Sequence, residues 1–196
     1  MAANRSKTGY VLLGLLNEEN LTGYEIKKIV DTRLSFFWSE SFGQIYPELK
    51  RLAAEGLIAV CEEPVSAGGK NSKQSIKYQI TASGRYELQE WLKTPVEKET
   101  VRYELLLKLY FSNSSSSETM LEHIREFEIN HRRQQQMFDK FEAQLKQNLD
   151  VHSNHSRILM VLSFGQKLWE SYADWCGQTI ALLEQEIAEQ GIPQNE

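Results

Sequence analysis

The sequence predicts a mostly α-helical chain with a small β wing, and three observations carry that expectation. In Ser41-Phe42-Gly43-Gln44-Ile45-Tyr46-Pro47-Glu48-Leu49-Lys50-Arg51-Leu52, the residues Phe42, Ile45, Leu49 and Leu52 recur at helical spacing, leaving Gln44, Tyr46, Lys50 and Arg51 on other faces. Past Gly56, Leu57-Ile58-Ala59-Val60, a Gly/Lys/Ser loop and the alternating Ile76-Lys77-Tyr78-Gln79-Ile80 read as a helix feeding a two-stranded ribbon. The second half then carries two long apolar stripes at helical spacing. Together these predict an N-terminal winged helix-turn-helix over residues 1–95 and a C-terminal long-helix hairpin, for dimerisation, over residues 96–196.

Composition bounds the answer. A chain of 196 residues with 41% apolar content can bury a real core. Cys61 and Cys176 lie far apart without a CxxC pairing, and the N-terminus lacks a long apolar stretch, so the expected home is a reducing cytoplasm and no membrane. Residues 1–94 carry 12 basic and 11 acidic groups, whereas residues 95–196 carry 10 and 16, so the acidity sits in the second half. DNA affinity needs only a local basic patch, and this balance neither requires nor excludes it.

Taken in order, Thr8 to Leu16 is too apolar for a one-faced surface helix and is expected to be buried. Thr22 with Glu25 has the spacing of a capping box, in which two side chains satisfy each other's orphan backbone N–H groups, opening a helix from Gly23. Leu34-Ser35-Phe36-Phe37-Trp38 occupies the turn of a helix-turn-helix; it reads as core packing or as the aromatic wall of a ligand pocket. Ser41 with Gln44 repeats the capping-box spacing, and Pro47 predicts that this helix either kinks or starts later. On its outward face Gln can pair with adenine and Lys or Arg with guanine, although an ordinary amphipathic surface helix would have the same stripe.

The loop from Pro64 to Gln74 is too long for a tight hairpin and reads as a wing, with Lys70, Lys73 and Lys77 on or beside it to neutralise phosphates or simply to meet water. Thr81 caps a helix over Ala82 to Leu92, to which Tyr86, Leu88, Trp91 and Leu92 supply apolar contacts, and Pro95 ends the first domain. Residues 99–111 form an amphipathic helix, broken by a serine run in which Ser115 and Glu118 open the next one. From there Met120, Ile124, Phe127, His131, Gln134, Phe138, Phe141 and Leu145 make a heptad-like seam. His131 and Gln134 in it either set register or bind a ligand. A second stripe runs from Ile158 to Ile187, and the wide apolar faces predict self-association.

Catalytic chemistry finds no support. Gly68-Gly69-Lys70 lacks P-loop spacing, no G-x-S-x-G elbow accompanies the serines, and Glu118, Glu122 and Glu126 repeat on one helix face as solvated charge. His152-x-x-His155 has no Cys, Asp or Glu partner arranged with it, so neither a metal nor another cofactor is expected, and no catalytic residue is assigned.

Nearly the whole chain resembles the PadR-type winged-helix transcription regulators, with the C-terminal helical domain of their virulence-activator branch. The resemblance rests on Leu21-Thr22-Gly23-Tyr24-Glu25-Ile26, on Phe37-Trp38 with Gln44 through Leu52, on Lys77 through Thr81 with Gly84, and on Glu99 through Arg102, Leu107 through Phe111 and Trp175. Tyr103 stands where the family pattern has an acidic residue. The resemblance implies a bacterial homodimer on double-stranded operator DNA, acting as a repressor that a small aromatic (phenolic) acid releases. The DNA-facing candidates are then Tyr24, Ser41, Gln44, Tyr46, Lys50, Arg51, Lys70, Lys73 and Lys77. Tyr10, Phe36, Trp38, Tyr103, His131 and Trp169 are the effector candidates. The alternatives are a PadR-like regulator or activator without an effector, and a helical adaptor that binds protein instead of DNA.

Overall fold

The computed structural model describes residues 6–61, 76–114, 116–147 and 154–190. The chain folds as two compact units, Met1–Glu97 and Lys98–Glu196.

The first unit is built from α1 (Lys7–Glu18), β1 (Leu21–Thr22), α2 (Gly23–Ile29) with a π-helical turn over Val30–Leu34, α3 (Phe42–Ala54), β2 (Ile58–Val60), β3 (Lys77–Ile80) and α4 (Ala82–Leu92). The ribbon is expected to have two strands, but the sheet has three, in the order β1-β3-β2 and antiparallel throughout. The extra strand is only Leu21 and Thr22, paired with Tyr78 and Lys77, too short to leave a periodic signal. Leu12, Leu13, Ile26, Ile45, Leu49 and Leu52 are fully buried, so α1, α2 and α3 close on one core, with Ile58, Tyr78, Ile80 and Leu88 completing it.

Local chemistry sets the ends. Glu25 accepts the Thr22 N–H at 2.8 Å while Thr22 Oγ1 accepts the Glu25 N–H at 3.2 Å, the reciprocal box the spacing predicts. The helix α3 runs through Pro47 without starting late; Pro47 and Gly43, whose carbonyl loses its N–H partner, are both exposed. It stops at Gly56, which takes φ 70°. Thr81 then binds α4 to this corner, accepting the Gly84 N–H at 3.1 Å and donating to the Leu57 carbonyl at 3.0 Å. Trp91 stacks on Tyr10 with ring centroids 4.5 Å apart, but Tyr86 and Leu92, expected to supply core contacts, face solvent.

In the second unit the amphipathic segment is shorter than its pattern: α5 covers Glu104–Tyr110, and Val101 is exposed in the non-helical stretch before it. Two long helices follow, α6 (Ser117–Gln147) and α7 (His155–Gln190). Ser115 lies outside the described residues; the cap there is Ser116, whose Oγ accepts the Thr119 N–H at 3.3 Å. Arg125 reaches Glu184 at 2.6 Å and Gln166 donates to Glu142 at 2.9 Å, cross-links that fix an antiparallel register. Between the helices lie Met120, Leu121, Ile124, Cys176 and Leu183, and farther along Phe138, Leu145, Leu162 and Trp169. The seam includes Gln135 rather than Gln134, which is exposed.

Gly84 makes the tightest approach in the first unit. A Cβ there would stand 2.1 Å from the Leu57 carbonyl oxygen, a backbone atom that Thr81 already holds. Gly84→Ala is therefore expected to lower stability by about 1–3 kcal/mol as overpacking, read as a fall in the thermal unfolding midpoint; an unchanged midpoint would contradict this packing.

Candidate functional site

Burial of Ile45, Leu49 and Leu52 turns the opposite side of α3 outward. Tyr46 is 44% exposed on it, and Lys50 is exposed with no hydrogen bond or ion pair among the described residues. The Tyr46 ring packs on α2 where Gly23 leaves room, since a Cβ at Gly23 would approach it to 2.6 Å. Tyr24, the next residue, is 65% exposed and likewise unpartnered among the described residues. Lys77 sits half-buried on β3, while Lys70 and Lys73 fall outside the described residues.

Three expected DNA-facing residues are occupied by the protein itself. Gln44 Oε1 accepts from both the backbone N–H and the hydroxyl of Ser41, at 2.9 and 2.8 Å. Arg51 is held by Glu48 through Nε at 2.9 Å and a second, shorter contact through Nη2, and it reaches Glu55 at 3.5 Å. The hydrogen bond to Glu48 pushes the guanidinium pKa up, and Glu48 is buried beneath it. Lys50 is thus the free cation of the pair Lys50-Arg51. Phe42 departs from its stripe: it is 43% exposed, stacked against Tyr46 with centroids 5.9 Å apart, with the Lys27 ammonium 5.8 Å over its ring.

The effector candidates divide between the units. Tyr10 belongs to the first core, Phe36 packs edge-on to Phe37 at 4.5 Å, and Trp38 Nε1 donates to the buried Glu40 at 2.8 Å, which also accepts from Thr8 at 3.0 Å. In the second unit Tyr103, His131 and Trp169 converge on Tyr172. The Tyr103 and Tyr172 hydroxyls are 2.6 Å apart, and the His131 ring lies 4.6 Å from Tyr172 and 5.3 Å from Trp169. His131 Nδ1 is 2.7 Å from the Phe127 carbonyl oxygen, which can only accept, so Nδ1 carries a proton and Nε2 of the neutral ring is an acceptor. The His131, Trp169 and Tyr172 rings, but not Tyr103, border a cavity of about 300 Å³, also lined by Glu128, Arg132, Gln135 and Asp139. The buried Trp169 indole N–H finds no acceptor among the described residues. Tyr172 is absent from the expected set; its signal is its place three residues after Trp169, on the same face of one helix.

The PadR-like transcriptional regulator family model matches residues 12–90, and the virulence activator alpha C-terminal model matches residues 101–184. The negative transcriptional regulator PadR of Bacillus subtilis (strain 168) is 30% identical over 183 residues, 90% of this chain and 97% of that protein. The chain belongs to the PadR-like family of transcriptional regulators. Its fold agrees with solved PadR-like proteins. The Bacillus cereus regulator BC1756 superposes with a TM-score of 0.74 at 28% identity, over 91% of this chain and 99% of that one. Bacillus subtilis PadR has been solved in complex with operator DNA (TM-score 0.72, 28% identity) and with p-coumaric acid (0.68, 27%), each over 91% of this chain and 99% of that one. The Vibrio cholerae virulence activator AphA matches with a TM-score of 0.68 at 26% identity and the same coverage. This PadR-like chain is therefore a transcriptional regulator, in a family of regulators and not of enzymes. Among its described residues no helix is long and apolar enough to cross a membrane.

The Tyr103–Tyr172 pair gives a pH signature. Burial first, and then the hydrogen bond that the Tyr172 hydroxyl shares with Tyr103, hold the Tyr172 phenol above the ordinary 10.0. The folded state keeps this proton after the unfolded chain has lost it, so stability is full below the ordinary value and falls as pH rises through and beyond it. Tyr103→Phe removes one cause of the shift and is expected to make that fall level off at a lower pH in denaturant melts carried upward from pH about 9; levelling off at the wild-type pH would mean the hydroxyl pair does not matter to the folded state.

Proposed function

We propose that this PadR-like regulator is a sequence-specific DNA-binding repressor, acting as a cytoplasmic homodimer that a small aromatic, phenolic acid releases from its operator. The observation that carries the DNA reading is the outward side of α3, where the exposed Tyr46 and Lys50 have no hydrogen-bonding partner among the described residues. A recognition helix so presented fits the major groove, and two copies would suit half-sites about 34 Å apart. The operator complex of Bacillus subtilis PadR supports it. Lys70, Lys73 and Lys77 would add phosphate contacts beside the groove.

Exposed Leu107, Tyr110, Phe111, Phe164 and Leu182 in the second unit support the homodimer, because so much solvated apolar surface is costly for a monomer. For the effector, the support is the ring-lined cavity at His131, Trp169 and Tyr172, together with the p-coumaric acid complex of the Bacillus subtilis relative. A cavity of about 300 Å³ is at the small end of ligand sites and suits a single flat ring with a short polar tail. Tyr10, Phe36 and Trp38 stay as further effector candidates on the family resemblance alone. Release requires that the acid bind the DNA-incompetent shape more tightly, because equal affinity for both shapes shifts nothing. The likeness to AphA favours a second reading, an activator with no such ligand.

A mobility shift on the DNA upstream of the protein's own gene is the direct test. The repressor reading expects a retarded band that millimolar p-coumarate disperses. Undiminished binding at that concentration would leave the activator reading standing and remove the phenolic-acid one.

Neighbouring substitutions on α3 separate DNA contact from folding. Lys50→Ala is expected to weaken operator binding by about 1–3 kcal/mol with no change in thermal midpoint. Arg51→Ala, by stripping the buried Glu48 of its partner, is expected to cost about 1–3 kcal/mol in stability. DNA binding that Lys50→Ala leaves unaltered, and that is feeble and indifferent to sequence, would favour an adaptor that binds protein.

A further inference from the structure

Building on the operator-binding reading, we propose that Phe42 and Gln44 together read a thymine, Phe42 packing on its C5-methyl group and Gln44 donating to its O4. Phe42 is the first residue of α3, at the end of a recognition helix that meets base edges. Ile45, Leu49 and Leu52, which share its periodicity, are fully buried, whereas Phe42 keeps 43% of its surface in solvent. It is not a loose ring. Tyr46, one turn on, stacks against it with an interplanar angle of 19°, and Lys27 of α2 lies over it at 5.8 Å. Two helices thus hold an apolar edge outward beside Tyr46 and Tyr24, the other exposed aromatics of these helices.

The chemistry of the groove narrows what such an edge can recognise. A phenyl ring neither donates nor accepts a conventional hydrogen bond, and the apolar feature on the major-groove floor is the thymine methyl. Gln44 fits the same base. The Ser41 backbone N–H can only donate, so the Gln44 atom facing it is the oxygen, and that oxygen also receives the Ser41 hydroxyl. Both of its lone pairs are engaged, which closes the bidentate pairing to adenine that needs an amide acceptor for the N6 amino group. The amide NH₂ remains, a donor that guanine O6 and N7 or adenine N7 would also accept, and only thymine O4 sets such an acceptor next to a methyl for Phe42.

The test replaces thymine by deoxyuridine, which deletes the methyl and keeps O4. Sites are first selected from a random duplex pool with the full-length protein, and each thymine is then exchanged singly. The expected result is one thymine per half-site at which the exchange weakens wild-type binding about fourfold, the worth of one buried methyl. Phe42→Ala and Phe42→Leu, checked for native melting, should bind the two duplexes alike and nearly alike. Specific binding that ignores every exchange, or an exchange penalty that persists in Phe42→Ala, overturns the thymine assignment and leaves the regulator intact. Failure to select any sequence overturns the assignment together with the DNA reading.

Discussion

The apolar stripe Ile45, Leu49 and Leu52 is the constraint on which the first unit depends. Each side chain is fully buried, so α3 cannot rotate about its axis without exposing one of them. Burying a side chain of this size is worth about 1.5–3 kcal/mol, which outweighs any preference of the polar residues between them. The facing of Tyr46 and Lys50 is therefore a by-product of the core. Whatever these two residues contact is chosen by the helix's apolar side, and the corner built by Thr81 and Gly84 holds the sheet and α4 against the same core.

Given that facing, intramolecular hydrogen bonds decide which polar groups are left to act outside. Gln44 and Arg51 both stand on α3 with side chains suited to base edges, but the Gln44 oxygen completes the helix N-terminus, which leaves only its NH₂ to act outside, and Arg51 neutralises Glu48. These contacts differ in kind. An N-cap satisfies donors that any helix leaves orphaned, so it is retained whatever the helix touches. The Glu48–Arg51 pair exists because a carboxylate has been placed at the edge of the core, where leaving it unpaired is costly. Lys50, with neither obligation among the described residues, is left to act outside.

Much of this is legible in the sequence, where the causes are local. The Thr22–Glu25 box, the Ser41–Gln44 pair and the Thr81 cap depend on spacings of three residues and need no knowledge of the fold. Periodicity likewise gives the course of α6 and α7. It fails where a tertiary neighbour, not the period, decides burial. Phe42 lies on the stripe yet beyond the reach of the core, Tyr86 and Leu92 lie on α4 where none of the described residues covers them, and Gln135 replaces Gln134 because α7 passes on that side. The two-residue strand β1 is defined only by its partner, the strand that contains Tyr78. Of the effector candidates, Tyr103, His131 and Trp169 meet only because the antiparallel register brings residue 131 opposite residues 169 and 172.

That register is itself held by the close-packed apolar interior, with polar cross-links at the rims, Arg125 with Glu184 and Glu142 with Gln166, adding to it. A slip of one turn would move a helix by about 5.4 Å, enough to separate His131 from Tyr172 altogether. The aromatic site thus reports on the register of the hairpin. Tyr172 is also the partner of the Tyr103 hydroxyl, at the residue where the chain enters α5. One side chain is at once a wall of the cavity and the tether of the segment that begins the helical unit, so displacement of Tyr172 and release of Tyr103 are the same event.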